Sequence, residues 1–338
     1  MILSKLISTP LRRAAAALLL VAPLGAAADY SQHEKAAAFV DKMVEKHSFD
    51  RDWVVSLLTA AEKKQSIIDA MERPAESVMT WGRYRKIFIQ DSRINQGVDF
   101  WREHADTLAR AEKEFGVPAE MIVGIIGVET RYGRNKGSYR VVDALATLGF
   151  DFPRRSTFFL GQLEEYLLMV REQDFDALSF KGSYAGAMGY GQFIPSSYRA
   201  YAVDFDDDGQ ADIVNNPVDA IGSVANYFAR HGWTMGAPVV DAAVLSEPVD
   251  ETLFNAGLKP SKTLAELKLG GIASASPLDP SQKATAMKLE GAKGDEYWVG
   301  LQNFYVITRY NHSAMYALAA HQLSQLIAEQ YRGAVAAK

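Results

Sequence analysis

Apolar residues recur at helical spacing through most of the chain, and the stretch from Val117 to Asn135 shows this pattern most strongly. Between Met121 and Val128 the side chains are almost all apolar. A helix that is apolar all round is typical of one surrounded by protein. Pro118 suits the first turn of such a helix, where its missing N–H costs nothing. The pattern therefore predicts a central, buried helix.

The same spacing predicts further helices on both sides of this segment. Ser31 and Glu34 form a capping-box pattern in front of the first of them. Gly116 and Gly232 are good C-cap residues for two others. These helices are expected at about 36–43, 53–64, 98–115, 141–148, 158–171, 217–231 and 314–331.

The pattern changes between residues 238 and 310, where short apolar runs are separated by proline and glycine. Strands are expected at 239–240, 284–289 and 297–308, with a hairpin turn at Gly291–Gly294. The order of helices, short sheet and helix indicates a mainly α-helical α+β protein. We expect one core from residues 29–235 and 311–338, with a small β-rich insertion at 236–310.

Composition and the N-terminal sequence favour a soluble, exported globular protein. Hydrophobic content of 48% and charged content of 23% are typical of a soluble globular chain. Residues 1–28 combine a basic start, a short apolar run and a small-residue site, so we expect a secretory signal cleaved after Ala28. Its removal takes away Lys5, Arg12 and Arg13 and changes the net charge from −5 to −8. An acidic protein without a basic tract is not expected to bind nucleic acid.

The sequence contains no cysteine. Disulfides, thiolate metal sites, a cysteine nucleophile and a lipid-modified cysteine are therefore excluded. We expect no membrane anchor, and a fold held by its apolar core together with a bound metal.

Glu129 is out of place on the predicted central helix. It shares a face with Ile122, Ile125 and Ile126, and it lies near the helix C-terminus. Burial and the helix dipole both raise the pKa of a carboxyl group in such a position. That would make Glu129 a general acid. From the helix alone, the favoured alternative is a structural carboxylate neutralised by Arg131 or Arg134.

Residues 181–197 are unusually rich in glycine, with Gly182, Gly186, Gly189 and Gly191 close together. Such density indicates backbone packed closely against a ligand or a neighbouring element. A tightly packed turn without a ligand is the equal alternative. No Gly-Lys-Ser/Thr sequence ends the segment, so it is not expected to bind phosphate.

An acidic loop at residues 204–215 has the pattern of a calcium-binding loop. Asp204, Asp206 and Asp208 occupy positions one, three and five, and Gly209 occupies position six, where the chain must turn sharply. A solvated acidic turn is the alternative.

The second half of this loop is less complete. Gln210 at position seven would offer its backbone carbonyl, and Asp212 at nine could act through water. Asn215 at twelve replaces the usual bidentate Glu, so a weaker site is expected. We predict one structural Ca²⁺ and no organic cofactor.

Five separated stretches, in order along nearly all of the exported chain, resemble the lytic murein transglycosylase B family. The stretches are GVETRYGRNKGSYRVVDALATL, FPRRSTFF, KGSYAGAMGYGQFIPSSYRAYAVDFD, DAIGSVANYFARHGW and NFYVITRYNHSAMYA. The resemblance implies a lysozyme-like core and non-hydrolytic cleavage of the MurNAc-β-1,4-GlcNAc bond of peptidoglycan, which leaves 1,6-anhydromuramic acid ends. It further implies a soluble periplasmic enzyme whose partners are glycan strands, with cell-wall synthases as candidates.

The resemblance also assigns roles to residues. It implies that Glu129 is catalytic and that residues 204–215 bind calcium. The residues that it implies along the saccharide groove are Arg154, Arg155, Ser183, Gln192, Tyr227 and Tyr310.

A single conspicuous acid fits this reaction. Glu129 would first protonate the glycosidic oxygen and then deprotonate the muramyl C6 hydroxyl, which attacks C1 of its own ring. Because the nucleophile belongs to the substrate, no second carboxylate is required. Asp143 and Asp151 remain candidates for a second acid, although capping and turn formation are favoured for both. A lysozyme-type hydrolase and a non-catalytic glycan-binding protein are the alternatives.

Overall fold

A computed structural model describes residues 29–73 and 79–336. The predicted secretory signal at 1–28 lies outside the described residues. The described part forms fourteen α-helices: α1 (Ala36–His47), α2 (Arg51–Ala60), α3 (Gln65–Glu72), α4 (Trp81–Phe88), α5 (Asp91–Glu103), α6 (Ala105–Phe115), α7 (Ala119–Thr130), α8 (Val141–Asp151), α9 (Ser156–Glu172), α10 (Pro195–Tyr201), α11 (Pro217–Arg230), α12 (Leu264–Leu269), α13 (Gln302–Tyr310) and α14 (Ala314–Ala336). It also forms seven strands: β1 (Tyr139–Arg140), β2 (Lys181–Gly182), β3 (Val240–Leu245), β4 (Lys262–Thr263), β5 (Ile272–Ser274), β6 (Lys283–Gly291) and β7 (Gly294–Gly300).

The predicted central helix is α7, and it is buried as expected. It packs against α14, α5, α6 and α11. Ile122 and Ile125 are 0% exposed, because apolar residues on every face of α7 require protein on every side. A Cβ atom at Gly124 would lie 2.8 Å from Cβ of Ser324, so α7 and α14 approach each other closely. Pro118 precedes the helix as its N-cap, outside the predicted first turn.

The β-rich region is a five-stranded antiparallel sheet with the order β4-β6-β7-β3-β5. The predicted hairpin is confirmed, since β6 and β7 pair from Thr285–Gly300 to Gly291–Gly294. A small separate core, which includes Phe254, Leu267 and Ile272, lies beneath this sheet. The remaining two strands, β1 and β2, pair antiparallel, and β2 begins the glycine-rich segment at residues 181–197.

The β6–β7 hairpin contacts the helical part of the molecule at α4. Nε1 of Trp81 donates a hydrogen bond to Oε2 of Glu296 at 2.9 Å. A Cβ atom at Gly82 would lie 2.5 Å from the backbone nitrogen of Ala292, so no larger residue fits there without a shift. The hairpin is therefore held on α4 by a partly buried hydrogen bond and by direct backbone contact.

The predicted strand at 297–308 is wrong beyond Gly300, because residues 302–310 form α13. Its β-branched and aromatic residues are typical of a strand, but packing of Phe304 and Ile307 into the core favours the helix. Asn303, fully buried in the first turn, exchanges hydrogen bonds of 2.8–2.9 Å with the backbone of Thr234. These tertiary contacts override local propensity.

Two other predictions of detail are wrong. The single helix predicted at 98–115 is two helices, since the chain bends at His104 (φ −115°, ψ 28°) and α5 already begins at Asp91. The Ser31–Glu34 capping box does not form. Instead a 3₁₀ turn at Tyr30–Gln32 is capped by Asp29, and α1 begins after Lys35 without a side-chain cap.

No helix within the described ranges has both the length and the apolar character needed to cross a membrane.

Candidate active site

Glu129 is the penultimate residue of α7 and is half-buried. The helix ends at Arg131, whose left-handed backbone (φ 52°) turns the chain away immediately after the carboxyl group. Nε and Nη2 of Arg131 each lie 3.0 Å from their acceptors, Oε1 of Gln96 and Oγ of Ser92 on α5. Arg131 is therefore engaged elsewhere, which weakens the proposal that it neutralises Glu129.

Tyr316 holds the Glu129 carboxyl group. Its hydroxyl donates a hydrogen bond to Oε1 of Glu129 at 2.5 Å, and the tyrosine is only 2% exposed. The two residues lie 187 positions apart, and the packing of α14 on α7 brings them together. Tyr316 was missed by the sequence analysis, although it lies within the last of the five family-like stretches.

Tyr310 and Tyr227 lie next to Tyr316 and Glu129 in an aromatic cluster. The Tyr227 and Tyr310 rings meet edge to face, with centroids 4.7 Å apart. Tyr310 donates to the carbonyl of Gly191 at 2.6 Å, and Tyr227 to that of Arg309 at 2.6 Å. Both hydroxyl protons are thus used within the protein, so neither hydroxyl can donate a hydrogen bond to a ligand.

The tyrosines of this cluster stay protonated. Burial, followed by the nearby charge of Glu129, raises the pKa of Tyr310 and of Tyr316 well above the ordinary value. Burial likewise raises the pKa of Tyr227. Tyr316 therefore remains a hydrogen-bond donor to Glu129 throughout the neutral range.

The glycine-rich segment lies against the C-terminal end of α7. Oγ1 of Thr130 donates to the carbonyl of Tyr190 at 2.9 Å. A Cβ atom at Gly133 would lie 2.2 Å from the Tyr190 ring, and one at Gly191 would lie 2.7 Å from the Tyr310 hydroxyl. Close packing against the protein's own side chains and backbone thus requires glycine at these positions, which agrees with the packed-turn interpretation.

Ser183 and Gln192 organise this segment from within. Oγ of Ser183 accepts hydrogen bonds from the N–H groups of Ala185 and Ala187 at 3.2 and 3.1 Å. Among the residues described here, none accepts its hydroxyl proton. Gln192, at φ 52°, donates from Nε2 to the carbonyl of Gly189 at 2.9 Å. Each side chain keeps hydrogen-bonding capacity for a saccharide, Ser183 as a donor and Gln192 through Oε1.

Arg154 and Arg155 lie on an exposed 3₁₀ turn at Pro153–Arg155 between α8 and α9. The Arg155 guanidinium lies 4.4 Å from the centroid of the Phe158 ring. Within residues 29–73 and 79–336, neither arginine hydrogen-bonds to another predicted site residue. Their role in saccharide binding stays a prediction.

Neither candidate for a second acid is available as a general acid or base. Asp143 is 1% exposed and pairs with Arg140 at 2.8 Å. Asp151 accepts a 2.6 Å hydrogen bond from Tyr30 and pairs with Lys63 at 3.1 Å. Asp143 also accepts a hydrogen bond from the N–H of Glu62 at 2.9 Å. Both carboxylates therefore tie the N-terminal part of the chain to α8, a structural role that differs from the capping and turn formation favoured from the sequence.

The acidic loop brings three carboxylates together. Oxygen atoms of Asp204, Asp206 and Asp219 lie within 4.8 Å of one another. Asp219 is fully buried at the start of α11, where it accepts hydrogen bonds from the N–H groups of Phe205 and Asp212 at 2.7 and 2.8 Å. Burial, together with the charges of Asp206 and Asp204, raises the pKa of Asp219 to about 6.

This donor set fits a hard cation, which prefers several oxygen ligands and relieves the repulsion between carboxylates. Asp219 lies beyond the twelve-residue loop pattern, so the pattern did not predict it as a metal ligand. Of the predicted ligands, Asp208 accepts from the Gln210 N–H at 2.9 Å. Nδ2 of Asn215 donates to Asp212 at 3.0 Å.

The acidic loop is linked by hydrogen bonds to the segment beside Glu129. The N–H of Tyr190 donates to the carbonyl of Ile213 at 3.1 Å, and Tyr190 in turn accepts from Thr130. Nζ of Lys136 donates to the carbonyl of Val214 at 2.6 Å. A cation that orders the loop would thereby also hold the segment beside Glu129.

Comparisons with known proteins give matches over most of the chain. The family model described as the transglycosylase SLT domain matches residues 31–325. The chain is 47% identical over 309 residues to the membrane-bound lytic murein transglycosylase B of Escherichia coli (strain K12), with 89% of this chain and 84% of the relative covered.

Solved structures of lytic transglycosylases also match most of this chain. The catenated lytic transglycosylase SltB1 from Pseudomonas aeruginosa superimposes with a TM-score of 0.87 at 55% identity, covering 90% of this chain and 100% of that one. The Escherichia coli lytic transglycosylase Slt35 in complex with calcium has a TM-score of 0.82 at 47% identity, covering 90% and 95%.

Proposed function

The chain belongs to the transglycosylase SLT domain family, and from this membership we infer that it is a lytic murein transglycosylase acting on peptidoglycan. The bond cleaved is the MurNAc-β-1,4-GlcNAc linkage, and the products end in 1,6-anhydromuramic acid. The observation that carries this inference for the site is the Glu129 carboxyl group, held by Tyr316 at the end of a buried apolar helix.

Glu129 acts first as an acid and then as a base. It protonates the glycosidic oxygen as the C1–O bond breaks, and the GlcNAc unit leaves as an alcohol. The resulting carboxylate then takes the proton of the muramyl C6 hydroxyl while its oxygen bonds to C1. The proton balance closes on one residue, so neither a second carboxylate nor a positioned water is needed.

Tyr316 supports the second half of this cycle. A neutral phenol that donates to Oε1 stabilises the carboxylate form of Glu129 and fixes the orientation of the other oxygen. Since Tyr316 remains protonated, this contact persists through both steps. Tyr316 is thus a positioning residue for the catalytic acid.

The saccharide is bound by the groups around Glu129. Ser183 and Gln192 present a hydroxyl donor and an amide oxygen, and the rings of Tyr227 and Tyr310 offer apolar faces for sugar C–H groups. We assign Arg154 and Arg155 to contacts with parts of the glycan strand that lie farther from Glu129. The support for these roles is the position of each residue and the match to the family's motifs.

One Ca²⁺ bound by the acidic loop completes the proposal. Asp204, Asp206 and Asp219 would supply carboxylates, and the remaining oxygens would come from Asp208, Gln210 and Asn215. The ion would cross-link the loop to α11 and take no part in the reaction. The calcium complex of the Slt35 relative supports this assignment.

We also propose export to the periplasm, with cleavage after Ala28. The basic and apolar pattern of residues 1–28 supports it, as does the location of the substrate outside the cytoplasm. Cell-wall synthases are candidate partners, because they make the strands that the enzyme cleaves. N-terminal sequencing of the mature protein tests the cleavage site.

The variant Glu129→Gln tests the role of the acid. Gln keeps an oxygen that accepts from Tyr316 but has no transferable proton, so product release from murein is expected to fall below detection while the melting temperature is retained. Glu120→Gln is the matched control, because Glu120 lies on the same helix and pairs with Arg332. Cleavage by Glu129→Gln near the wild-type rate would remove Glu129 from the mechanism.

A further inference from the structure

A groove of about 370 Å³ lies between α14, α4 and the paired strands β3 and β7. At about 100° per residue, Leu318, Gln322 and Gln325 project from the side of α14 opposite Tyr316. The groove is therefore separated from the Glu129 site by the helix itself. Its volume is in the range of small-molecule sites, about 300–1,000 Å³.

Three residues that line this groove each carry a buried polar atom that has no hydrogen-bond partner. These atoms are Nε1 of Trp298, Nδ1 of His321 and Oε1 of Gln322, half of the six such atoms found in the described part of the chain. Buried polar groups are nearly always paired, because leaving them unpaired is costly. Three of them at one groove indicate a ligand that pairs with them.

The unpaired atoms define the chemistry of that ligand. The Trp298 indole N–H can only donate, and Oε1 of Gln322 can only accept. Burial lowers the pKa of His321 to about 4, so the imidazole is neutral and Nδ1 either accepts or donates. An uncharged group with one acceptor and one donor, such as a secondary amide, satisfies this set.

The rest of the groove suits a sugar that carries such an amide. Val240, Leu318 and Leu326 provide an apolar lining, which accommodates an acetamido methyl group. The aromatic face of Trp298 is the kind of surface on which sugar C–H groups pack. At the rim, the exposed Arg85 and the half-buried Asp241 provide polar groups for hydroxyls.

We propose that this groove, the α14 groove, is a second saccharide-binding site that takes an N-acetylhexosamine unit of the glycan strand, with its acetamido group between Trp298, His321 and Gln322. The identity of the polymer rests on the proposed function. Binding here would hold a strand on the enzyme without placing a bond at Glu129.

The test is binding of triacetylchitotriose to the ¹⁵N-labelled full chain, followed by NMR of the five tryptophan indole N–H groups. The Trp298 resonance, assigned with Trp298→Phe, is expected to shift on titration. The Trp81 resonance is expected to stay, since its N–H is already bonded to Glu296. Cellotriose, which has no acetamido group, is expected to leave Trp298 unchanged.

Gln322→Leu is expected to weaken binding at Trp298 about tenfold, because the ligand N–H loses its acceptor. The folded state should be retained, since the variant removes an unpaired polar atom. Gln330→Leu, on the same helix but outside the groove, is the control and should bind normally. The proposal is overturned if the Trp298 resonance does not shift with triacetylchitotriose, or if it shifts equally with both sugars. A shift of this resonance on addition of a stem peptide alone also overturns it. If the wild-type protein binds triacetylchitotriose at Trp298 but does not cleave murein, the proposed function is wrong and the second binding site stands.

Discussion

Tyr316→Phe isolates the hydrogen bond that positions Glu129, the proposed catalytic acid. The substitution removes one oxygen atom and keeps the aromatic ring that fills the core between α7 and α14. The only hydrogen bond that the Tyr316 hydroxyl donates among the described residues is the one to Glu129. The variant therefore changes the environment of one carboxyl oxygen with little change in packing.

The size of the effect follows from the kind of hydrogen bond. A hydrogen bond to a charged group contributes about 1.5–3 kcal/mol, and each 1.36 kcal/mol of barrier is a factor of about ten in rate. If the contact acts fully in the transition state, kcat for murein cleavage should fall between about ten- and about a hundredfold. KM should change little, because Tyr316 is buried and is not expected to contact the strand.

The assay is the rate of soluble muropeptide release from purified murein, measured at several substrate concentrations. Tyr166→Phe is the matched control, because it removes a buried hydroxyl that donates to the Ala177 carbonyl at 2.7 Å and leaves the Tyr316–Glu129 bond in place. A wild-type kcat for Tyr316→Phe would refute the positioning role. So would a loss in kcat that Tyr166→Phe reproduces in full.

Three further predictions concern stability. At a hundredfold excess of Ca²⁺ over its Kd, the free energy of unfolding should rise by about 2.7 kcal/mol, and the melting temperature should rise with it. Asp219→Asn should abolish this rise, and Asn215→Ala should only reduce it. Equal melting curves with calcium and with chelator would contradict the site. Without metal, the raised pKa of Asp219 means that the folded state holds the proton more tightly than the unfolded chain. Stability should then fall by up to about 3 kcal/mol as pH rises from about 4 to about 6, and added calcium should remove that decline. Burial raises the pKa of Glu164, but hydrogen bonds from Lys42, His47 and Lys46 outweigh burial and lower this pKa to about 2. Glu164→Gln should therefore destabilise the protein by about 2–3 kcal/mol at neutral pH. An unchanged midpoint of chemical denaturation would show that these contacts contribute nothing to stability.

Local pattern was enough to predict the helices that carry the site. The apolar run of α7 and the placement of Glu129 near its end follow from spacing alone. The sheet and its hairpin were also predicted, because glycine and proline mark their turns. The α13 helix was not, since its β-branched and aromatic residues are typical of a strand until the buried contacts of Asn303 and Phe304 are known.

The parts of the site that sequence spacing did not reveal are contacts between distant residues. Tyr316 and Glu129 meet only because α14 packs on α7, and nothing local to either residue specifies that pairing. Asp219 joins the acidic loop from the following helix, four residues beyond the last position of the loop pattern. Such contacts depend on the tertiary arrangement of whole helices, which hydrophobic periodicity does not determine.

The central claim is that one carboxyl group directs attack by the substrate's own C6 hydroxyl. Mass spectrometry of muropeptides released by the wild-type protein tests this most directly. Products lighter by one water than the corresponding hydrolysed fragments, and their absence with Glu129→Gln, are predicted. Products with the full mass of reducing-end muropeptides would show that water is the nucleophile, and would contradict the mechanism.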